Sequence, residues 1–189
     1  EVLLFEHLKG FEDFIAGKLC GIHSRARYAT CSCEPPGMQY WLFKSEPDTF
    51  SLDHLKKMSK SPWDGVRNYM ARNYMRAMKP GDLGFFYHSR VDPPGIAGVC
   101  KVVSQPYDDF TALDKKSKYF DPKSSADNNR WSLVDVEYVE TFAHFVTLEE
   151  LKEHPKLKEM VVTRKGNRLS ISPVQSAEWK VVLALGRGK

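Results

Sequence analysis

The chain has 189 residues, 42% hydrophobic and 28% charged, which excludes a disordered polar chain and fits one domain with a tail, or at most two very small domains. Its 28 Lys and Arg against 24 Asp and Glu leave a net charge of +4, so a basic surface has to come from clustering. No apolar run approaches the roughly 18 residues that cross a bilayer and no secretory pattern is present, so a cytoplasmic protein without a membrane partner is expected, nuclear if the source is eukaryotic.

Residues 1–37 differ from the rest. Helical periodicity around Val2–Leu19 is weakened by Gly10 and Gly17, and Cys31-Ser32-Cys33-Glu34-Pro35-Pro36-Gly37 suits a linker. Three of the four cysteines, Cys20, Cys31 and Cys33, lie here, without the second pair or histidine that a zinc site needs. We expect Met38 to be the natural start, residues 1–37 an extension that is disordered or non-native, and residues 38–189 the functional domain.

From Met38 onward, aromatic and β-branched runs predict strands at Tyr40–Lys44, Leu83–His88, Ile96–Val103 and Trp131–Val139, with weaker ones at Val161–Thr163 and Arg168–Ile171. Ser51 caps a helix over Leu52–Met58, and Asn68 opens one that runs to Lys79 before Pro80-Gly81. Helical turns follow at Leu148–Glu153 and Pro155–Met160. A last helix is expected from Ser172-Pro173 to Leu185. The strands are not spaced by regular βαβ crossovers, so the class is α+β with a mixed, strongly curved sheet or small barrel.

Four segments concentrate polar and aromatic side chains. Trp41–Pro47 runs from a strand into a turn and offers Lys44, Ser45 and Glu46, which would equally suit a solvated turn. Trp63-Asp64-Gly65-Val66-Arg67-Asn68 leads into the second helix. The helix N-terminus, with Arg67 beside it and Arg72 and Arg76 along it, suits phosphate, and Trp63 is either a stacking platform or a plug. Phe85-Phe86-Tyr87-His88-Ser89 alternates faces along a strand, and His88 there would ordinarily be a satisfied core histidine. Tyr119–Ser124, followed by Asn129–Ser132, forms a long ordered loop that closes over something. No nucleophile elbow, P-loop, dinucleotide fingerprint or zinc-protease helix is present.

In order, the runs YWLFKSEPDTFSLDHL, WDGVRNYMARNYMRAMKPGD, FFYHS, GIAGVCKVV, YFDPKS, NRWSLVDVEYV and NRLSISPV resemble the EVE domain family from about Met38 to Leu185. The details Lys79-Pro80-Gly81-Asp82 and Gly166-Asn167-Arg168-Leu169 are similar to bacterial members. The resemblance implies a PUA-like fold, a small curved β-barrel of five to six mixed strands with flanking helices, related to the YTH and ASCH domains. It also implies a non-enzymatic nucleic-acid-binding module associated with modified cytosine in DNA, with no metal or redox cofactor. Lys44 and Ser45 match the family's strand-end motif, Trp63, Arg67 and Asn68 its W-x-G-V-R-N motif, Tyr87, His88 and Ser89 its F-Y-H-S motif, and Trp131 its later aromatic. Met70 stands where many relatives carry Gln, which would change one polar contact.

A base read in a pocket must first leave its duplex, at a cost of a few kcal/mol, and each aromatic stack returns about 1–3 kcal/mol. Trp63 with Trp131 or Tyr87 would stack on the base. Ser45, Asn68, His88 and Ser89 would meet its edge, and Arg67, Arg72, Arg76 and Lys44 would hold flanking phosphates. The alternatives are an RNA-binding module, a nucleotide hydrolase with His88 as general base, and a protein-interaction module whose aromatics are all core.

Overall fold

The computed structural model describes residues 37–189. The expectations for residues 1–37, including Cys20, Cys31 and Cys33, lie outside the described residues, Gly37 apart. The described residues belong to a single unit.

Its strands are β1 (Tyr40–Ser45), β2 (Lys60–Pro62), β3 (Leu83–His88), β4 (Gly95–Val102), β5 (Tyr107–Asp108), β6 (Ser132–Leu133), β7 (Asp135–Thr147) and β8 (Ile171–Val174). The helices are α1 (Leu52–Met58), α2 (Tyr69–Ala77), α3 (Leu148–Glu153) and α4 (Ser176–Gly186). Six strands join in the order β2-β7-β4-β3-β1-β8, and β5 pairs with β6 separately. Only β1 and β3 run parallel within the large sheet. Register shifts at Phe86/Tyr87 and along β4 against β7 add twist and bend the sheet. This is the mixed, curved α+β architecture expected.

Strand alternation sorts the side chains into two cores. Trp41, Phe43 and Phe86 face α1 and α2 with Leu52, Leu55 and Met75. Tyr40, Leu42, Phe85 and Tyr87 face the opposite way, where Trp179 of α4 stacks on Phe85 at 4.0 Å and on Tyr40 at 4.5 Å. Buried Asp82 ties the start of β3 to β1. Its carboxylate accepts from the Trp41 indole at 3.0 Å, Gln39 N at 3.1 Å and Lys79 N at 3.0 Å. All three donors are satisfied by one side chain.

Several expected elements differ. Val161–Thr163 is a 3-10 turn despite its β-branched residues, closed by Thr163 N donating to Met160 O at 3.0 Å. Pro155–Met160 shortens to a 3-10 turn over Pro155–Leu157. Pro173 lies within β8, an edge strand that tolerates a missing N–H, and α4 starts three residues later. β7 continues well past Val139 to Thr147, while β2 and β5 are too short and polar to announce themselves.

Candidate nucleic-acid interface

A cleft of about 520 Å³ opens where the end of β1, the loop after β2 and the 114–130 loop converge. A volume of this size falls within the range of small-molecule sites. Its wall carries Lys44, Ser45 and Glu46 from β1 and the turn beyond, Thr49 and Phe50 before α1, Trp63 to Arg67, and Lys118, Tyr119 and Ser170.

Trp63 forms the floor. It is 7% exposed and packs edge-on against Phe43 at 5.0 Å, Phe86 at 5.4 Å and Phe50 at 6.0 Å. Its backbone N–H donates to Val134 O at 2.8 Å, so the ring is fixed from both ends. Opposite Gly65 lies the Tyr119 ring. A Cβ built on Gly65 would meet it at 2.5 Å, and φ here is +73°, so glycine is demanded twice over.

Arg67 holds this arrangement shut. Its Nε donates to Tyr119 O at 2.8 Å, one terminal nitrogen to Val66 O at 3.0 Å and Asp109 Oδ2 at 2.6 Å, and the other to Thr111 Oγ1 at 3.1 Å and to Tyr119 O. All five guanidinium donors are used. Asp109 is fully buried and also accepts from Gly65 N at 3.1 Å, so one carboxylate fixes the loop before α2 and, through Arg67, the loop bearing Tyr119.

Three charged groups in the cleft remain without hydrogen-bond or ion-pair partners among the described residues, Lys44, Asp64 and Lys118. Burial lowers the Lys44 ammonium's pKa, and Lys44 Nζ lies 5.8 Å from the Tyr87 ring centroid. Burial, then the nearby Asp109 charge, raises the Asp64 carboxyl above the usual carboxylate value, while Arg67 and Lys118 oppose. Glu46 is instead engaged by Arg90 at 3.2 Å.

Of the site residues read from sequence, Lys44, Ser45, Trp63 and Arg67 line the cleft. The phosphate role expected of Arg67 is corrected, because its donors are consumed. Asn68 lies outside the cleft and caps α2, its Oδ1 accepting from Met70 N at 2.9 Å and Ala71 N at 3.1 Å. Tyr87 is buried in the core on the other face of the sheet, where burial pushes its hydroxyl up to about 12, so it offers no stacking surface. His88 Nε2 accepts from Leu52 N at 3.1 Å, serving the first turn of α1, and burial lowers its pKa against the pull of Asp53. Ser89 donates from N at 2.8 Å and Oγ at 3.0 Å to Ser45 O, joining β1 and β3.

Trp131 is not a free platform either. Tyr69 stacks on it at 5.0 Å, Arg67 lies 5.3 Å from its centroid, and its indole donates to Asp121 Oδ2 at 2.7 Å. Arg72 and Arg76 lie on α2, which carries no acidic residue. Arg72 donates to Arg130 O at 2.9 Å and spans the 45%-exposed Tyr69 ring at 4.8 Å, while Arg76 donates to Ser132 Oγ at 2.8 Å. Met70 points outward, 54% exposed, rather than into the cleft. Asp64, Phe50, Lys118 and Tyr119 are among the lining residues that sequence reasoning passed over. Asp64 and Tyr119 sat inside motifs already singled out.

No helix among the described residues is long and apolar enough to cross a membrane, and none of their His, Cys, Asp and Glu side chains cluster as a metal site. The EVE domain family matches residues 39–185. Human thymocyte nuclear protein 1 is 42% identical over 176 residues, spanning 83% of this chain and 78% of the human protein. A solved protein from Leishmania major is 50% identical, with a TM-score of 0.77 over 80% of this chain and 96% of that one. The human THYN1 protein, solved in complex with 5-methylcytosine-containing DNA, is 41% identical, with a TM-score of 0.76 over 80% of this chain and 99% of that one.

Proposed function

The chain belongs to the EVE domain family, and on that premise we propose that its cleft receives a modified cytosine swung out of DNA and binds it without cleaving it. The observation that carries the reading is the cleft itself. Trp63 and Phe50 form one aromatic side and Tyr119 another, and Asp64 lines the same cleft with no hydrogen-bond or ion-pair partner among the described residues. The DNA held by the THYN1 relative contains 5-methylcytosine, which supports the choice of ligand.

Energetics favour such a site. Unstacking a base costs a few kcal/mol, and contact with two aromatic walls returns about 1–3 kcal/mol per stacked ring, so walls plus edge contacts tip the balance. Arg72 and Arg76, free of carboxylate partners, together with Lys118, would hold flanking phosphates and set the register without reading sequence. A hydrolytic role for His88 finds no support, because its Nε2 is committed to Leu52 N and the residue does not line the cleft. The protein would act in the cytoplasm, or in the nucleus of a eukaryotic source.

The test is titration of the purified chain with matched duplexes carrying cytosine or 5-methylcytosine at one position, with the corresponding RNA as a third arm. Tighter binding of the methylated DNA is expected. Equal affinity for all three would refute the reading.

A further inference from the structure

We infer that Asp64 is the residue that reads the edge of the bound base, accepting from the exocyclic amine of cytosine and rejecting thymine. The inference rests on the base-binding reading above. Asp64 sits between two anchored neighbours, since Trp63 N donates to Val134 O at 2.8 Å and Gly65 N to Asp109 Oδ2 at 3.1 Å. Its backbone is therefore set by the floor of the cleft on one side and by the Tyr119 wall on the other. The side chain is half-buried, lines the cleft and is bound by nothing among the described residues. Of the other charged groups lining the cleft, Glu46 is held by Arg90, Arg67 is saturated, and Lys44 and Lys118 only donate.

A 5-methylcytosine and a thymine share the same methyl group, so apolar contacts cannot separate them. They differ at the edge: cytosine offers an N4 amine donor, and thymine an O4 acceptor. A carboxylate accepts from N4 and repels O4. A neutral carboxyl discriminates less, because it can turn over, donating to O4 and accepting from the thymine N3–H. Burial and Asp109 favour that neutral form, while Arg67 and Lys118 oppose it, and Lys44 and Glu46 line the same cleft. Discrimination should therefore weaken as the pH falls.

The experiment uses single-stranded oligonucleotides identical except for one 5-methylcytosine or thymine, so no duplex has to open. The wild type is expected to prefer 5-methylcytosine at least tenfold at pH 8, and the ratio to shrink toward pH 6. Asp64→Asn brings the ratio within about threefold of unity, since an amide can turn over to meet either base, and loses its pH dependence. Asp64→Leu brings the ratio within twofold of unity, with melting temperatures of both variants checked against wild type. A wild type that binds 5-methylcytosine while the Leu variant keeps its ratio would sink this inference alone. An Asn variant that keeps the full wild-type ratio would overturn the role of the carboxylate charge. A wild type that binds neither oligonucleotide would overturn the base-binding reading, and this assignment with it.

Discussion

Replacing Arg67 with Met separates a latch from a phosphate contact. The substitution removes all five guanidinium hydrogen bonds and leaves the Asp109 carboxylate, fully buried, without its cation. Arg67 itself is only 22% exposed, so solvent screens the pair little. Breaking a buried pair from one side costs about 3–5 kcal/mol. In a domain of this size each kcal/mol moves the melting temperature by about 2–4 °C, giving a fall of about 6–20 °C. Adding Asp109→Asn should recover part of that loss, because the stranded charge disappears while an acceptor for Gly65 N remains. Circular dichroism melts of the single and double variants measure this. In parallel, the salt dependence of oligonucleotide affinity, measured well below both melting points, should keep its wild-type slope. A variant that melts like wild type but whose salt slope is shallower by about one unit would show that Arg67 holds a phosphate after all.

Three further outcomes follow from the same geometry. Gly65→Ala drives a Cβ into the Tyr119 ring at a positive φ, so the wall moves and affinity for the methylated oligonucleotide should fall by about 1–3 kcal/mol; unchanged affinity would remove Tyr119 from the site. Arg72→Gln and Arg76→Gln should each flatten the salt slope by about one unit with little change in stability, and a slope unmoved in the double variant would place the phosphates elsewhere. His88 has a folded pKa depressed below its unfolded value of about 6.5, so its contribution is intact above that value and is lost as the pH falls through the folded pKa. The wild type should therefore lose stability from about pH 6.5 downward more steeply than His88→Gln, and superimposable pH profiles of melting temperature would contradict the role of His88 as an acceptor for α1.

How much of this was legible in the sequence depends on how far each side chain reaches. Alternation in Tyr40–Ser45 and Leu83–His88 announced two central strands, because both faces of each are packed and the pattern is strong. The far half of β7 escaped notice because only Phe142 and Val146 are buried beyond Val139, too sparse a signal to extend the strand. The W-x-G-V-R-N segment lines the cleft as far as Arg67, yet the roles read from residue type differ in part from the contacts those side chains make. Arg67 looked like a free cation until its partners, 42 to 52 residues away, came into view. His88 and Trp131 looked available for a base for the same reason, the first being committed to Leu52 N and the second to Asp121 and Tyr69. Asn68, by contrast, caps α2 as its residue type and position suggested. Asp64 drew no attention because a carboxylate before glycine reads as an ordinary turn; only its burial inside the cleft marks it.

The most direct test is a crystal structure of this chain with a duplex that carries a single 5-methylcytosine. The account predicts that base outside the helix, between Trp63 and Tyr119, with its amine edge toward Asp64 and the flanking phosphates near Arg72 and Arg76. A methylated base still stacked within the duplex, or held on any surface other than this cleft, would contradict it.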